Sequence, residues 1–185
     1  MKSSKILDDL VISATGAKAH YDVWWAQVSE AKPKYADVMN KHSDFFLASQ
    51  DAHYKASFIY FAHLFDKRCD SSSISKYLES INNETEPFAF LKLQEDFDSL
   101  LLRAKPLLTI RHKRVAHIDA KLSESDVFFD LNITWNEIRQ VIHDVATYVE
   151  KLKGIPNLGS GSIGIPSEGR LSKATLQLFE MLSKS

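Results

Sequence analysis

The sequence predicts an all-α protein, a bundle of four or more helices followed by one additional C-terminal helix. Apolar residues recur at intervals of three and four along nearly the whole chain, as one buried helix face requires. Five of the six glycines and two of the five prolines fall within 154–169, so helix breakers are scarce elsewhere. A β-like flavour is confined to Val127, Phe128 and Phe129, and a strand there would lack a partner. The segment 123–132 is therefore expected to be an ordered loop.

Taken in order, a helix over about 6–30 contains Trp24 and Trp25. A long helix follows, marked by Phe45, Ala48, Ala52, Ala56, Ile59, His63 and Leu64, and then a short helix over 73–81 with serines at its start. Phe90, Leu93, Phe97, Leu100, Leu101 and Ala104 repeat the helical spacing up to Pro106, and Leu107, Leu108 and Ile110 extend the face. Pro106 either kinks one helix or opens a second. Ile138, Val141, Ile142, Val145, Val149 and Leu152 form one stripe on a helix capped by Asn132 or Thr134 and stopped at Gly154. Beyond 154–169, Leu171, Leu178, Met181 and Leu182 outline a final amphipathic helix that needs a groove on its own bundle or on a neighbouring subunit. These readings divide the chain into a helical domain over 1–153, a linker over 154–169 and a last helix over 170–185.

Composition narrows the function classes. The chain of 185 residues is 44% hydrophobic and 25% charged, ordinary values for one globular domain. Its formal net charge of −1 excludes coating of long nucleic acid by general electrostatics, so contact with RNA or DNA belongs to a small patch. The sole cysteine, Cys69, excludes an internal disulfide and a multi-cysteine zinc site. No apolar run reaches the roughly 20 residues of a membrane span. A soluble, cytoplasmic protein without membrane association is expected.

The patch lies at 111–119, RHKRVAHID. No acidic residue occurs from Ser99 to Ile118, whereas Arg103, Lys105, Arg111, Lys113 and Arg114 supply five positive charges. Guanidinium and imidazole side by side suit the holding of a phosphate and the movement of protons beside it. On an α-helix, Arg111, Arg114 and His117 make an oblique stripe, with Arg111 and His117 about 9 Å apart along the axis and about 120° apart around it. Lys113 and His117 share a side, and His112 points elsewhere. A charged helical turn is also what an ordinary solvated face looks like. His53, His63 and His143 read as ordinary side chains, and core packing of at least one of Trp24 and Trp25 is favoured over base stacking.

Arginine, a polar residue and a histidine a few positions on resemble the signature of HEPN domains, here Arg111, His112 and His117. The string RHKRVAHID, with HLFD from His63 and the following SSSISKYL, is similar to the abortive-infection (AbiU-type) branch of that family, over roughly 48–153. His112 stands where many members carry asparagine or aspartate. The resemblance implies a HEPN-like bundle that forms a homodimer with two motifs facing across a cleft, and catalytic members cut RNA without a metal or other cofactor. It implies His117 as general base or acid, Arg111 as phosphate clamp, His112 as orienting or second proton-transfer group, and Lys113 and Arg114 as holders of flanking phosphates.

Other chemistries fail on spacing: the chain has no HExxH helix, Walker loop, G-x-S-x-G elbow or paired Glu-x-x-His. Asp51 with His53, or Asp66 with His63, offers too few ligands for a metal. Two classes remain. One is a metal-independent endoribonuclease of a defence or toxin–antitoxin system, restrained by an antitoxin or other regulatory protein. The other is a non-catalytic HEPN protein that binds a nucleotide, RNA or a protein partner.

Overall fold

A computed structural model describes residues 3–116, 124–155, 164, 165, 167 and 169–184. Among these residues all regular secondary structure is helical, with α1 (Ser3–Trp25), α2 (Ala36–Lys41), α3 (Ser43–His63), α4 (Ile74–Ile81), α5 (Pro87–Ile110), α6 (Glu124–Leu131), α7 (Trp135–Lys153) and α8 (Arg170–Leu182). Two π-helical turns, Ala26–Ala31 and Arg111–Ala116, directly continue α1 and α5. The all-α bundle expected from periodicity is the observed fold. No described helix is long and apolar enough to cross a membrane.

Helix α1 is the central element, because it packs along α3 on one side and α7 on the other and also meets α4 and α8. Ile6, Leu7, Leu10, Val11, Ala14, Ala17, Tyr21 and Trp24 supply its buried stripe. Gly16 permits the close approach to α3: a Cβ there would lie 2.7 Å from Cγ of Tyr60. On α7, all six stripe residues expected from the sequence are buried. Its start is fixed by Thr134, whose Oγ1 accepts from the Glu137 amide at 3.2 Å while the Glu137 carboxylate accepts from the Thr134 amide at 2.7 Å. Such a reciprocal cap contributes about 1 kcal/mol. Gly154 ends the helix as expected.

Pro106 lies inside a single helix rather than opening a second one. The opening proline is Pro87, behind Glu86, whose carboxylate accepts from the amides of Phe88 at 3.0 Å and Ala89 at 2.8 Å. Helix α5 is tied to α7 by Tyr148, whose hydroxyl donates to the Leu93 carbonyl at 2.8 Å, and by the Lys151–Asp96 ion pair at 2.6 Å.

The structure corrects three expectations. Residues 124–131 form a helix, not an ordered loop; Phe128 is half-buried against Trp135, with ring centroids 4.3 Å apart, and Phe129 is exposed. Helix α3 buries Phe46, Ser57, Phe58 and Phe61, whereas Phe45 and Ile59 of the expected stripe face solvent. The inner face is aromatic and partly hydroxylic, so an alanine-rich outer face imitates the stripe. Helix α8 is anchored by Phe179, and Leu178 and Met181 are exposed. Phe179 joins Ala31, Tyr35 and Phe46 in a second small core, which docks α8 on its own bundle.

Within 154–169, the described residues Ile155 and Ile165 pack against the main core, and the Ile165 amide donates to the Glu150 carboxylate at 2.8 Å.

Candidate functional site

The basic motif begins where α5 loses regular α-helical geometry. Pro106 has no amide to donate to the carbonyl four residues earlier. The Thr109 hydroxyl donates back to the Lys105 carbonyl at 3.0 Å, a contact that bends helices. The Arg111 amide then divides between the carbonyls of Leu107 and Leu108, and Arg111–Ala116 continues as a π-helical turn. Hydrogen bonds spanning five residues widen such a turn, so each residue advances by less than the roughly 100° assumed for an α-helix. The α-helical angles used for the oblique stripe therefore do not apply across Arg111–Ala116, and its last member, His117, lies outside the described residues.

The π turn lies against α3 and α5, and Val115 fastens it to the core. Arg111 is half-buried, and its Nε is enclosed without a hydrogen-bond acceptor among the described residues. His112 is exposed, and Lys113 and Arg114 are half-buried. His117 lies outside the described residues. Arg111, His112, Lys113 and Arg114 thus share one wide turn, and of these four only Arg114 borders the cavity walled by Trp24 and Trp25.

That cavity, about 730 Å³, is open to solvent between the end of α1, the first π turn, α3 and the start of α7. Its walls include Trp24, Trp25, Tyr54 and Trp135, with Val28 and Ser29 from the first π turn. Trp24 is buried and packs on Trp135 at 4.8 Å and Tyr54 at 5.6 Å between ring centroids. Core packing of one of the two adjacent tryptophans is thus as expected. Trp25 is only half-buried, with Arg139 5.9 Å from its ring centre. Lys55 and Asp51, paired at 2.8 Å, and Arg114 add charge to this aromatic rim.

Sequence reading missed Tyr54, Lys55 and Trp135 as a group with Arg114. The available signal was local, Asp51, Tyr54 and Lys55 on adjoining positions of one helix face. Trp135 joins them through tertiary packing, far away in sequence.

The other titratable clusters serve different parts of the bundle. Lys18 and Asp22 form a buried pair at 2.8 Å, and His143 Nε2 approaches the other Asp22 oxygen at 3.5 Å, an ion-pair distance rather than a good hydrogen bond. Burial opposes the Asp22 charge, but His143 and Lys18 outweigh it and hold the carboxyl below its ordinary range. His20 and His53 meet between α1 and α3. The HLFD segment closes the turn after α3: the Asp66 carboxylate accepts from the Arg68 amide and Nε at 3.0 and 2.9 Å, and the Ser72 hydroxyl donates to Asp9 at 2.6 Å. These bonds brace the route into α4. Among the described residues, no three His, Cys, Asp or Glu side chains are grouped to hold a metal.

Comparison with known proteins gives the family of the chain. Neither the curated proteins nor the solved structures give a significant match. The HEPN family described as AbiU2 matches residues 3–161, which widens the likeness drawn from 48–153 to include α1. That match covers the bundle from α1 through α7 and includes the whole RHKRVAHID string, so this chain belongs to the AbiU2 family of HEPN domains.

Proposed function

We propose that this protein is a metal-independent endoribonuclease of a defence or toxin–antitoxin system, cutting RNA at a cleft between two copies of the chain. The observation that carries the reading is the dense Arg/His motif on a widened turn of a chain belonging to a HEPN family. Half-burial of Arg111, whose enclosed Nε has no acceptor among the described residues, supports the role of phosphate clamp. Desolvated donors of this kind act most strongly on charge that grows in the transition state.

In the proposed reaction His117 removes the proton of a 2′-hydroxyl, whose oxygen attacks the adjacent phosphorus. The bond to the 5′-oxygen breaks, and His112 or the partner copy's proton donor protonates that leaving oxygen. Arg111 holds the phosphoryl oxygens through its planar fork, and Lys113 and Arg114 hold flanking phosphates. A single motif on a convex turn cannot enclose a scissile phosphate, which is why two copies across a two-fold axis are invoked. An antitoxin or other regulatory protein restrains the activity.

The test is cleavage of end-labelled RNA by the purified full chain, with and without a chelator. Cleavage is expected to survive chelation and to leave 2′,3′-cyclic phosphate ends, and His117→Ala should slow it by on the order of 10²–10⁴-fold with the fold intact. RNA binding without cleavage by the wild-type chain would return the protein to the non-catalytic class. Cleavage undiminished in both His117→Ala and Arg111→Ala would remove the motif from the chemistry.

A further inference from the structure

The cavity beside the basic motif has the composition of a base-binding subsite. Half-buried Trp25, Tyr54 and Trp135 line the cavity, and every nucleobase offers a π face to aromatic side chains of this kind. Arg114 stands on the same rim and carries positive charge for the sugar–phosphate backbone of the nucleotide that the wall receives. Asp51, paired with Lys55 at 2.8 Å, supplies acceptor oxygens for amino groups on a base edge. At about 730 Å³ the cavity lies within the size range of small-ligand sites, roughly 300–1,000 Å³.

Arg114 links this cavity to the proposed chemistry. It belongs to the same π turn as Arg111, His112 and Lys113, and it is the member of that turn that lines the cavity. We propose that the cavity binds one unpaired nucleobase of an RNA strand whose phosphates run along the basic turn. This makes single-stranded RNA, rather than duplex, the substrate class of the site. The inference rests on the reading of the basic turn as an RNA-handling motif. A base stacked in its own duplex keeps its π faces covered and cannot enter a concave pocket without being extruded.

Binding is measured apart from cleavage, with a short single-stranded RNA bearing 2′-O-methyl groups, which blocks the attacking hydroxyl, and with the same sequence as a duplex. Intrinsic tryptophan fluorescence of the full chain is the readout. The single strand is expected to quench the fluorescence and to bind more tightly than the duplex by about 10-fold or more. Trp25→Ala should weaken single-strand binding by about 5–100-fold, and Trp25→Phe should restore most of it. Ser29→Trp, at an exposed position on the cavity wall, should block binding without removing a core side chain. Binding unchanged in Trp25→Ala and Ser29→Trp, or equal affinity for duplex and single strand, would overturn the proposal even if the wild-type protein cuts RNA. Single-strand binding lost in both variants by a protein that cuts no RNA would uphold the subsite and overturn only the ribonuclease reading.

Discussion

His20 and His53 face each other through their Nδ1 atoms at 2.8 Å, linking α1 to α3 through a gap that holds one proton. Burial, and after it the charge of His53, pushes the His20 imidazole below its ordinary value of 6.5, and burial does the same to His53. The unfolded chain takes up these protons near 6.5, whereas the folded chain resists them. Stability should therefore fall as pH drops below about 6.5 and recover above it. Thermal midpoints between pH 7.5 and 5.5 would show the slope, and His53→Leu should flatten it; an unchanged slope in that variant would assign the acid sensitivity elsewhere.

Asp22→Ala should cost about 3–5 kcal/mol, because it leaves the Lys18 ammonium buried without its partner. The wild-type pair also predicts an acid limit. The Asp22 carboxyl is held below its ordinary value of 3.8, so its stabilisation is complete above that value and is lost as pH falls through the folded one. Urea unfolding at pH 7 checks the first statement. A double variant, Lys18→Met with Asp22→Leu, should recover much of the loss, and failure to do so would mean that specific packing around α7 dominates.

Gly16→Ala should destabilise the protein by about 1–3 kcal/mol although alanine favours helices, since the new methyl would meet the Tyr60 ring at 2.7–2.8 Å. The same substitution in a Tyr60→Ala background should instead be neutral or stabilising by up to about 1 kcal/mol. Equal effects in the two backgrounds, read as denaturant midpoints, would show that the α1–α3 approach is not limiting.

Phe179→Ala should release α8. Phe179 stacks on Phe46 at 4.8 Å and on Tyr35 at 5.6 Å between centroids and is 1% exposed. Truncation of such a ring costs about 3–5 kcal/mol where the structure unfolds as one unit. Limited proteolysis should then cut within Arg170–Leu182 ahead of the main bundle, whereas Leu178→Ala on the exposed side should leave the digestion pattern unchanged.

Which features were legible in the sequence follows from how local their causes are. Helix α7 was readable, apart from the choice of cap between Asn132 and Thr134, because one stripe from Ile138 to Leu152 and a stop at Gly154 are written in consecutive residues. The inward face of α3 was not, because Ser57 and three phenylalanines make a weaker local pattern than the alanines on its outer side. Residues 124–131 carry too short a pattern to separate helix from loop without the contact between Phe128 and Trp135. The basic motif was recognisable by residue type. Its π geometry was not, since a widened turn uses the same side chains as an α-helix and arises from hydrogen bonding around Pro106, Thr109 and Arg111.

The two π-helical turns border the same cavity, one through Val28 and Ser29 and the other through Arg114. A widened turn behaves as a one-residue insertion carried within a helix, and removal of that residue would restore ordinary helical hydrogen bonding at little local cost. The helix beyond the deletion would keep nearly its original phase, because a widened turn sweeps about the same angle as an α-helical segment one residue shorter. The change would fall within the turn itself: a deletion inside Ala26–Ala31 would shift the side chains carried there, Val28 and Ser29 among them, and one inside Arg111–Ala116 would shift Arg114. Single-residue deletions at these two places would thus leave the bundle in register while altering the cavity wall, so the spacing of residues there matters as much as their identity.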